Sequence, residues 1–316
     1  MTNIAAIDIG SHTARLLVSK TIGSPGLFQP LIRKRSYIRL AQCFDHQEGE
    51  GIGPEAIDRT LGALAAFSDV AGKYDVNRIH AVATGVVRRA ANRDHFIDLI
   101  HSKTDIKVNV ISGEREAELT RKGVLHALNI ETGPFVIFDL GGGTTEFIMG
   151  KEEDAQIKSL PLGAAVLTQR FLRSDPLKKE KLEILENHVD EVLEGAFQKE
   201  THVGNDHLMV GTGGTVTTLA ALIYHIGVQD INPHRLNGLI LRSEQIGDLF
   251  EQLKSLTIDE RLRLPGMDQG REDVILAGTI VVIRILHYFR SVLMKVSLSD
   301  LLEGVLIAYL EGEKDE

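Results

Sequence analysis

Two segments of the chain share a residue spacing suited to gripping phosphate: AIDIGSHTARLLV at 6–18 and FDLGGGTTEFIMG at 138–150. Registered on their aspartates, Asp8 meets Asp139, Gly10 meets Gly141, Thr13 meets Thr144 and Arg15 meets Glu146. In each, an apolar run fits a buried strand, and the small residues after it fit a tight turn with exposed backbone amides, which is what a phosphate needs. Either segment alone reads as an ordinary hairpin, where Gly and Thr need only supply permissive angles. Their recurrence points to two half-molecules facing one cleft.

The elements that must position these tips alternate along the chain. Strands are expected at 4–10 and 14–20 around the first tip, then near 27–40. Gly51–Gly53–Pro54 opens a helix with Ile57, Leu61, Leu64, Phe67, Ala71 and Tyr74 on one face. Strand 78–83 leads into ATGVVRRAAN, a short turn and a helix, and strand 106–111 into a helix bearing Leu119, Val124 and Leu128. The second half reads as strands 135–140, 145–149 and 156–160, then an amphipathic helix over 176–199 with Leu182, Leu185, Val189, Leu193 and Phe197 in line. Strand 207–211 runs into the Gly-rich turn GTGGTVTTLAAL and a helix. A buried helix over 272–290, strand 292–298 and a helix over 299–311 complete the reading. The order indicates mixed α/β domains.

A chain of 316 residues exceeds what one core comfortably supports, so two domains are expected. The hydrophobic fraction of 43% and charged fraction of 25% are those of a soluble globular protein rather than a disordered one. The lone Cys43 excludes an intramolecular disulfide and a cysteine metal set, so a reducing cytoplasm is the expected compartment. The N-terminus enters a strand at once, unlike a signal peptide, and GTIVVIRILHYF is too short and too interrupted to span a bilayer. A net charge of −9 argues against nucleic acid as a partner. Residues 1–124 nevertheless carry 17 Lys and Arg against 14 Asp and Glu, while the remainder carries 18 against 30. Clusters such as Arg33–Lys34–Arg35 with Arg39, Arg88–Arg89 with Arg93, and Arg115, Arg121 and Lys122 would draw a polyanion, or would simply be solvated surface.

AIDIGSHTARLLV, ATGVVRRAAN, ISGEREAEL, FDLGGGTTEF, SLPLGAAVLT, VGTGGTVTTLA, REDVILAG and SDLLEGVL stand in an order that resembles the exopolyphosphatase and guanosine pentaphosphate phosphohydrolase family, a branch of the actin, Hsp70 and sugar-kinase superfamily. The resemblance covers almost the whole chain and is to the short, two-domain form. It implies two ribonuclease H-like, actin-like ATPase domains with mixed sheets flanking an interdomain cleft. The first would comprise 1–124 plus about 299–316, and the second 125–298.

The implied reaction is Mg²⁺-dependent release of terminal orthophosphate from inorganic polyphosphate, with guanosine pentaphosphate as the alternative substrate. Such hydrolysis needs an in-line water, a carboxylate to position or deprotonate it, and donors to balance charge on the phosphoryl group. The resemblance makes Glu116 the catalytic base; from the residues alone, Glu114 and Glu116 equally suit the positive end of a helix. Asp139 and Glu146 would serve metal and water positioning, and with Asp8 they make a hard-oxygen site suited to Mg²⁺. Asp8 reads equally as a carboxylate stabilising its own turn. Phosphate contacts are expected from the amides of Ser11, His12, Thr13, Gly142, Gly143 and Thr144 and from the Arg88 side chain. Gly213, Gly214 and Thr215 resemble the superfamily's nucleoside-side loop, or are helix-start packing. Arg271 resembles a position near the domain interface, with structural use an equal reading.

The sequence departs from the family at His12, where Asn is usual, at Thr13, where Ser is usual, and at Leu302, where an Arg is usual. There is no GxxxxGK[ST] loop, HExxH or GxSxG element. A small-molecule kinase on the same scaffold and a non-catalytic alarmone or polyphosphate sensor are the rivals. Retention of Glu116, Asp139 and Glu146 together speaks against the sensor. Chain-length preference, a need for K⁺ and assembly as a homodimer have no signature in these residues.

Overall fold

The computed structural model describes all residues except 1, 24–26, 41–50, 131–132, 152–154, 173–178, 198–206 and 314–316, so Cys43 lies outside the described residues. The described chain forms two compact units, 1–124 with 300–316, and 125–299.

In the first unit, β1 (Asn3–Ile9), β2 (Thr13–Thr21) and β3 (Phe28–Tyr37) form an antiparallel meander. The helix α1 (Pro54–Lys73) follows, then β4 (Val76–Ala83), α2 (Gly85–Arg89), α3 (Arg93–Thr104), β5 (Val108–Val110) and α4 (Gly113–Leu128). The sheet order is β3-β2-β1-β4-β5, with β1, β4 and β5 parallel. β1 is central and reads IAAI over 4–7 without a polar residue because a strand covered on both faces has no solvent side to alternate with. α1 turns its small residues inward: Ala56, Thr60, Ala63, Leu64, Phe67 and Ala71 are buried, whereas the expected face residues Ile57, Leu61 and Tyr74 are half-buried.

The second unit repeats this plan. β6 (Phe135–Leu140), β7 (Thr145–Gly150) and β8 (Gln156–Leu160) form the meander, followed by α5 (Ala164–Phe171), α6 (Lys179–Ala196), β9 (Leu208–Thr212) and α7 (Gly214–Ile223). Next come α8 (Pro233–Leu236), β10 (Ile240–Arg242), α9 (Ser243–Ser255), α10 (Ile258–Leu262), α11 (Ile275–Tyr288) and β11 (Leu293–Val296). The order is β10-β11-β9-β6-β7-β8, with β6, β9 and β11 parallel. Phe147, Phe197 and Phe289 pack edge-on or tilted at 5.2–6.1 Å in its core.

The last helix, α12 (Leu301–Leu310), belongs to the first unit. Its Leu301, Leu302, Val305 and Leu306 pack on Ile4, Ala6 and Leu17. α12 also crosses α4 with the backbones nearly touching. A Cβ on Gly304 would stand 1.7 Å from the Leu119 carbonyl, and one on Gly123 would stand 2.0 Å from that of Asp300. Leu302, the departure from the family pattern, is a core residue.

Candidate active site

In each sheet the turns after the parallel strands gather at their carboxyl ends, where open α/β sheets bind ligands. In the first unit these turns are the tip after β1, Thr84–Gly85 after β4 and Ile111–Gly113 after β5. In the second they are the tip after β6 and Thr212–Gly213 after β9.

The two tips are built alike. Gly10 N–H donates to the Thr13 carbonyl at 3.0 Å, and Gly141 N–H donates to the Thr144 carbonyl at 3.0 Å. Asp8 stands opposite Arg15 in one ladder, and Asp139 opposite Glu146 in the other. A Thr–Gly pair with positive φ backs each tip. Gly85 has φ +48°, and a Cβ there would meet Ser11 Oγ at 2.4 Å; Gly213 has φ +94°, and a Cβ there would meet the Leu140 carbonyl at 2.4 Å. Only glycine meets both demands without strain. This second repeat is present in the sequence as Thr84–Gly85 and Thr212–Gly213.

Neighbouring donors fix which way the tip amides point. In the second tip, Ala164 N–H binds the Gly141 carbonyl, and Ala165 and Val166 N–H bind that of Gly142, all at 3.0–3.1 Å. A peptide unit is trans, so its N–H points opposite its C=O. The amides of Gly142 and Gly143 therefore point away from α5. Gly163 permits this approach, since a Cβ there would lie 2.2 Å from Gly143. In the first tip, Ile38 and Arg39 N–H donate to the His12 carbonyl at 3.0 and 2.9 Å, which turns the Thr13 amide the other way. Ser11 Oγ accepts the Val86 amide at 3.1 Å, so its hydroxyl braces α2 and the backbone is what it offers a ligand. His12 is buried edge-on against Tyr37, with ring centroids 5.4 Å apart.

Arg88 and Glu116, expected as a phosphate contact and a base, meet. Arg88 Nη1 donates to the Ile111 carbonyl at 3.1 Å and to Glu116 Oε2 at 3.2 Å. Glu116 is 7% exposed in the first turn of α4. Glu114, by contrast, is exposed, and its carboxyl is held below the usual carboxylate range chiefly by the backbone amide at the helix start, then by Ser112. Glu114 thus takes the helix-end role.

At the second tip, Asp139 and Glu146 are buried and directly opposed, 7% and 1% exposed. Like charges in such a pair repel, and a shared cation relieves this. Ser159, the β8 neighbour of Glu146, donates to Glu146 Oε1 at 2.7 Å. Asp139 lies against the β9–α7 turn, for a Cβ on Gly213 would stand 2.8 Å from its Oδ1. No cluster of three or more His, Cys, Asp or Glu that could hold a metal occurs among the described residues. A carboxylate pair nonetheless fits Mg²⁺, which keeps several waters and takes one or two carboxylates plus substrate phosphate.

Asp8 differs: its Oδ2 is engaged by Arg15, which leaves only Oδ1 for a cation or its water. Gly214 opens α7 beneath Arg271, whose Nη2 a Cβ on Gly214 would approach to 1.9 Å. Thr215 packs against Gly278 of α11. Part of the basic surface is consumed internally, as Arg33 pairs with Glu303, Arg115 with Glu118 and Glu313, and Lys122 with Glu311 and Glu313.

A family model described as the Ppx/GppA phosphatase family matches residues 17–313. The chain belongs to this family. It is 32% identical over 323 residues to exopolyphosphatase 2 of Mycobacterium tuberculosis, covering 98% of both proteins. It is 30% identical to a bifunctional 3-dehydroquinate synthase/phosphatase of Fusobacterium nucleatum, where it covers 98% of its own length but only 47% of that relative. Among solved structures, an exopolyphosphatase from Cytophaga hutchinsonii superimposes with a TM-score of 0.88 at 29% identity, over 99% of each chain. The two mixed α/β sheets are thus those of the Ppx/GppA branch of the actin-like ATPase fold.

Proposed function

We propose that this Ppx/GppA family member hydrolyses the terminal phosphoanhydride of inorganic polyphosphate with Mg²⁺. The observation that carries the reading is the buried Glu116 carboxylate held by Arg88 at the carboxyl ends of β4 and β5. Glu116 acts as the base that orients and deprotonates the attacking water. Arg88, with further N–H groups on Nε and Nη2, balances charge on the phosphate chain. The outward amides of Gly142 and Gly143, with those of Thr144, Ser11, His12 and Thr13, bind phosphate oxygens. Asp139 and Glu146 would hold Mg²⁺, which supplies Lewis-acid neutralisation of the transferring phosphoryl group. Asp139, beside Gly213, keeps the nucleoside-side turn in register with that carboxylate pair.

Guanosine pentaphosphate is the second substrate, and the Gly-rich turn that opens with Gly213 beside Asp139 favours it. The relatives named as exopolyphosphatases favour polyphosphate. Among the described residues no helix is long and apolar enough to cross a membrane, and the single cysteine suits a cytoplasmic setting. Orthophosphate release from both substrates, measured side by side with and without Mg²⁺, tests the reading. No release from either would end it, and transfer to an acceptor from ATP would replace it with a kinase.

A further inference from the structure

The first tip is braced by charges from the far end of the chain. Arg15 on β2 grips Asp8 Oδ2 through Nε at 2.9 Å and Nη2 at 2.7 Å. Its Nη1 binds Asp300, the N-cap of α12. One turn on, Glu303 pairs with Arg33 of β3. Asp300 is itself pinned: its Oδ1 accepts the Leu302 amide at 3.3 Å, and Glu303 Oε2 accepts the Asp300 amide at 3.1 Å. Asp8, Asp300 and Glu303 are each 4% exposed or less. The positive end of α12 favours the negative charge of Asp300 and Glu303.

Asp8 Oδ1 is buried without a hydrogen-bond partner among the described residues and lies beside Gly10, whose added Cβ would stand 4.0 Å away. A carboxylate that served only to stabilise its own turn would spend that oxygen on loop amides. Instead, the guanidinium fixes one oxygen and leaves the other at the tip. In the second tip Glu146 stands where Arg15 does, and its β8 neighbour is the neutral Ser159.

We propose that Arg15 and Asp300 are positioning residues for the reaction: Asp300 fixes the Arg15 guanidinium, and Arg15 fixes Asp8 so that Oδ1 is presented at the first tip. The proposal rests on the hydrolase reading and adds to it a dependence on how α12 docks.

Asp300→Asn keeps a good N-cap while removing the charge. Arg15→Lys keeps the charge while removing the fork that holds Asp8. In the full-length protein each is expected to lower kcat for orthophosphate release from polyphosphate about 10- to 100-fold with KM within about twofold, as for residues supporting a reacting group. Lys122→Gln, which loosens the other end of α12, should leave kcat unchanged. Hydrogen exchange at residues 9–14 should quicken about tenfold in Asp300→Asn, a local opening of the tip. Wild-type kcat in folded Asp300→Asn and Arg15→Lys would overturn the proposal. If the wild type released no phosphate, the hydrolase reading would fail, and exchange at 9–14 unaltered by Asp300→Asn would then separately overturn the brace.

Discussion

Glu116 Oε2 lies 3.2 Å from Arg88 Nη1, and that same nitrogen donates to the Ile111 carbonyl at 3.1 Å. The guanidinium therefore ties the turn after β5 to the first turn of α4 and holds the carboxylate in one direction. A lysine at 88 carries its charge on a flexible stem, without the rigid planar group that holds this nitrogen in place between the two acceptors. Arg88→Lys is expected to lower kcat/KM about 10- to 100-fold, with most of the loss in kcat because the base loses its orientation. Steady-state kinetics on polyphosphate check this, and a change confined to KM would reduce Arg88 to a binding role.

Asp139 and Glu146 face each other across one ladder position, where two ionised carboxylates would repel. Asp139→Asn and Glu146→Gln should therefore each raise the Mg²⁺ concentration needed for half-maximal rate, by about 10- to 100-fold. Without Mg²⁺ both should melt at or above the wild-type temperature, because one of two opposed charges is gone. Melting curves in chelator check the second half, and a lower melting temperature for both variants would contradict it.

Gly213 combines φ +94° with an approach that brings its missing Cβ within 2.4 Å of the Leu140 carbonyl. Gly213→Ala should cost about 1–3 kcal/mol from strain and overpacking, visible as a lower denaturation midpoint. Gly62, whose surroundings are open, is the matched control in α1. Gly62→Ala should be neutral or slightly stabilising, since alanine favours a helix interior by about 1 kcal/mol.

Glu313 fixes the chain's last described turn to α4 through Lys122 and through Arg115 at 2.8 Å. The hydrogen bond from Lys122 is the main reason its carboxyl sits below the usual range; burial opposes this, and Arg115 adds to it. A depressed folded pKa contributes stability that is present above the unfolded value, about 4.3, and is lost as pH falls through the folded one. The melting-temperature difference between wild type and Glu313→Gln should thus be present at pH 7 and vanish in acid. A difference independent of pH would remove Glu313 from this role.

Much of the site was legible because it is written twice. Asp8 with Asp139, Gly10 with Gly141 and Thr13 with Thr144 are equivalent in sequence, and the tip hydrogen bonds repeat at the same length. What stayed illegible depends on partners distant in sequence. Nothing near Arg15 reveals Asp300, 285 residues away, and nothing near Asp139 reveals that β9 delivers Gly213 beside it. The segment 225–271 carries α8, β10, α9 and α10 on sequence signals too weak to predict them. Its signals are short: Ile246, Phe250 and Leu253 mark the buried face of α9, and Thr257 with Glu260 forms the capping box of α10. The helix expected over 272–290 starts later, at Ile275, because Glu272 is used in the preceding turn, its Oε2 accepting the Gly270 amide and its carbonyl accepting from Arg261.

The central claim, that Glu116 is the base of a phosphohydrolase, is tested most directly by the initial rate of orthophosphate release from polyphosphate with Mg²⁺, for wild type and Glu116→Gln. The account predicts release by the wild type and a fall in kcat of about 10²- to 10⁴-fold in the variant, with polyphosphate binding retained. Equal rates for the two proteins would contradict it.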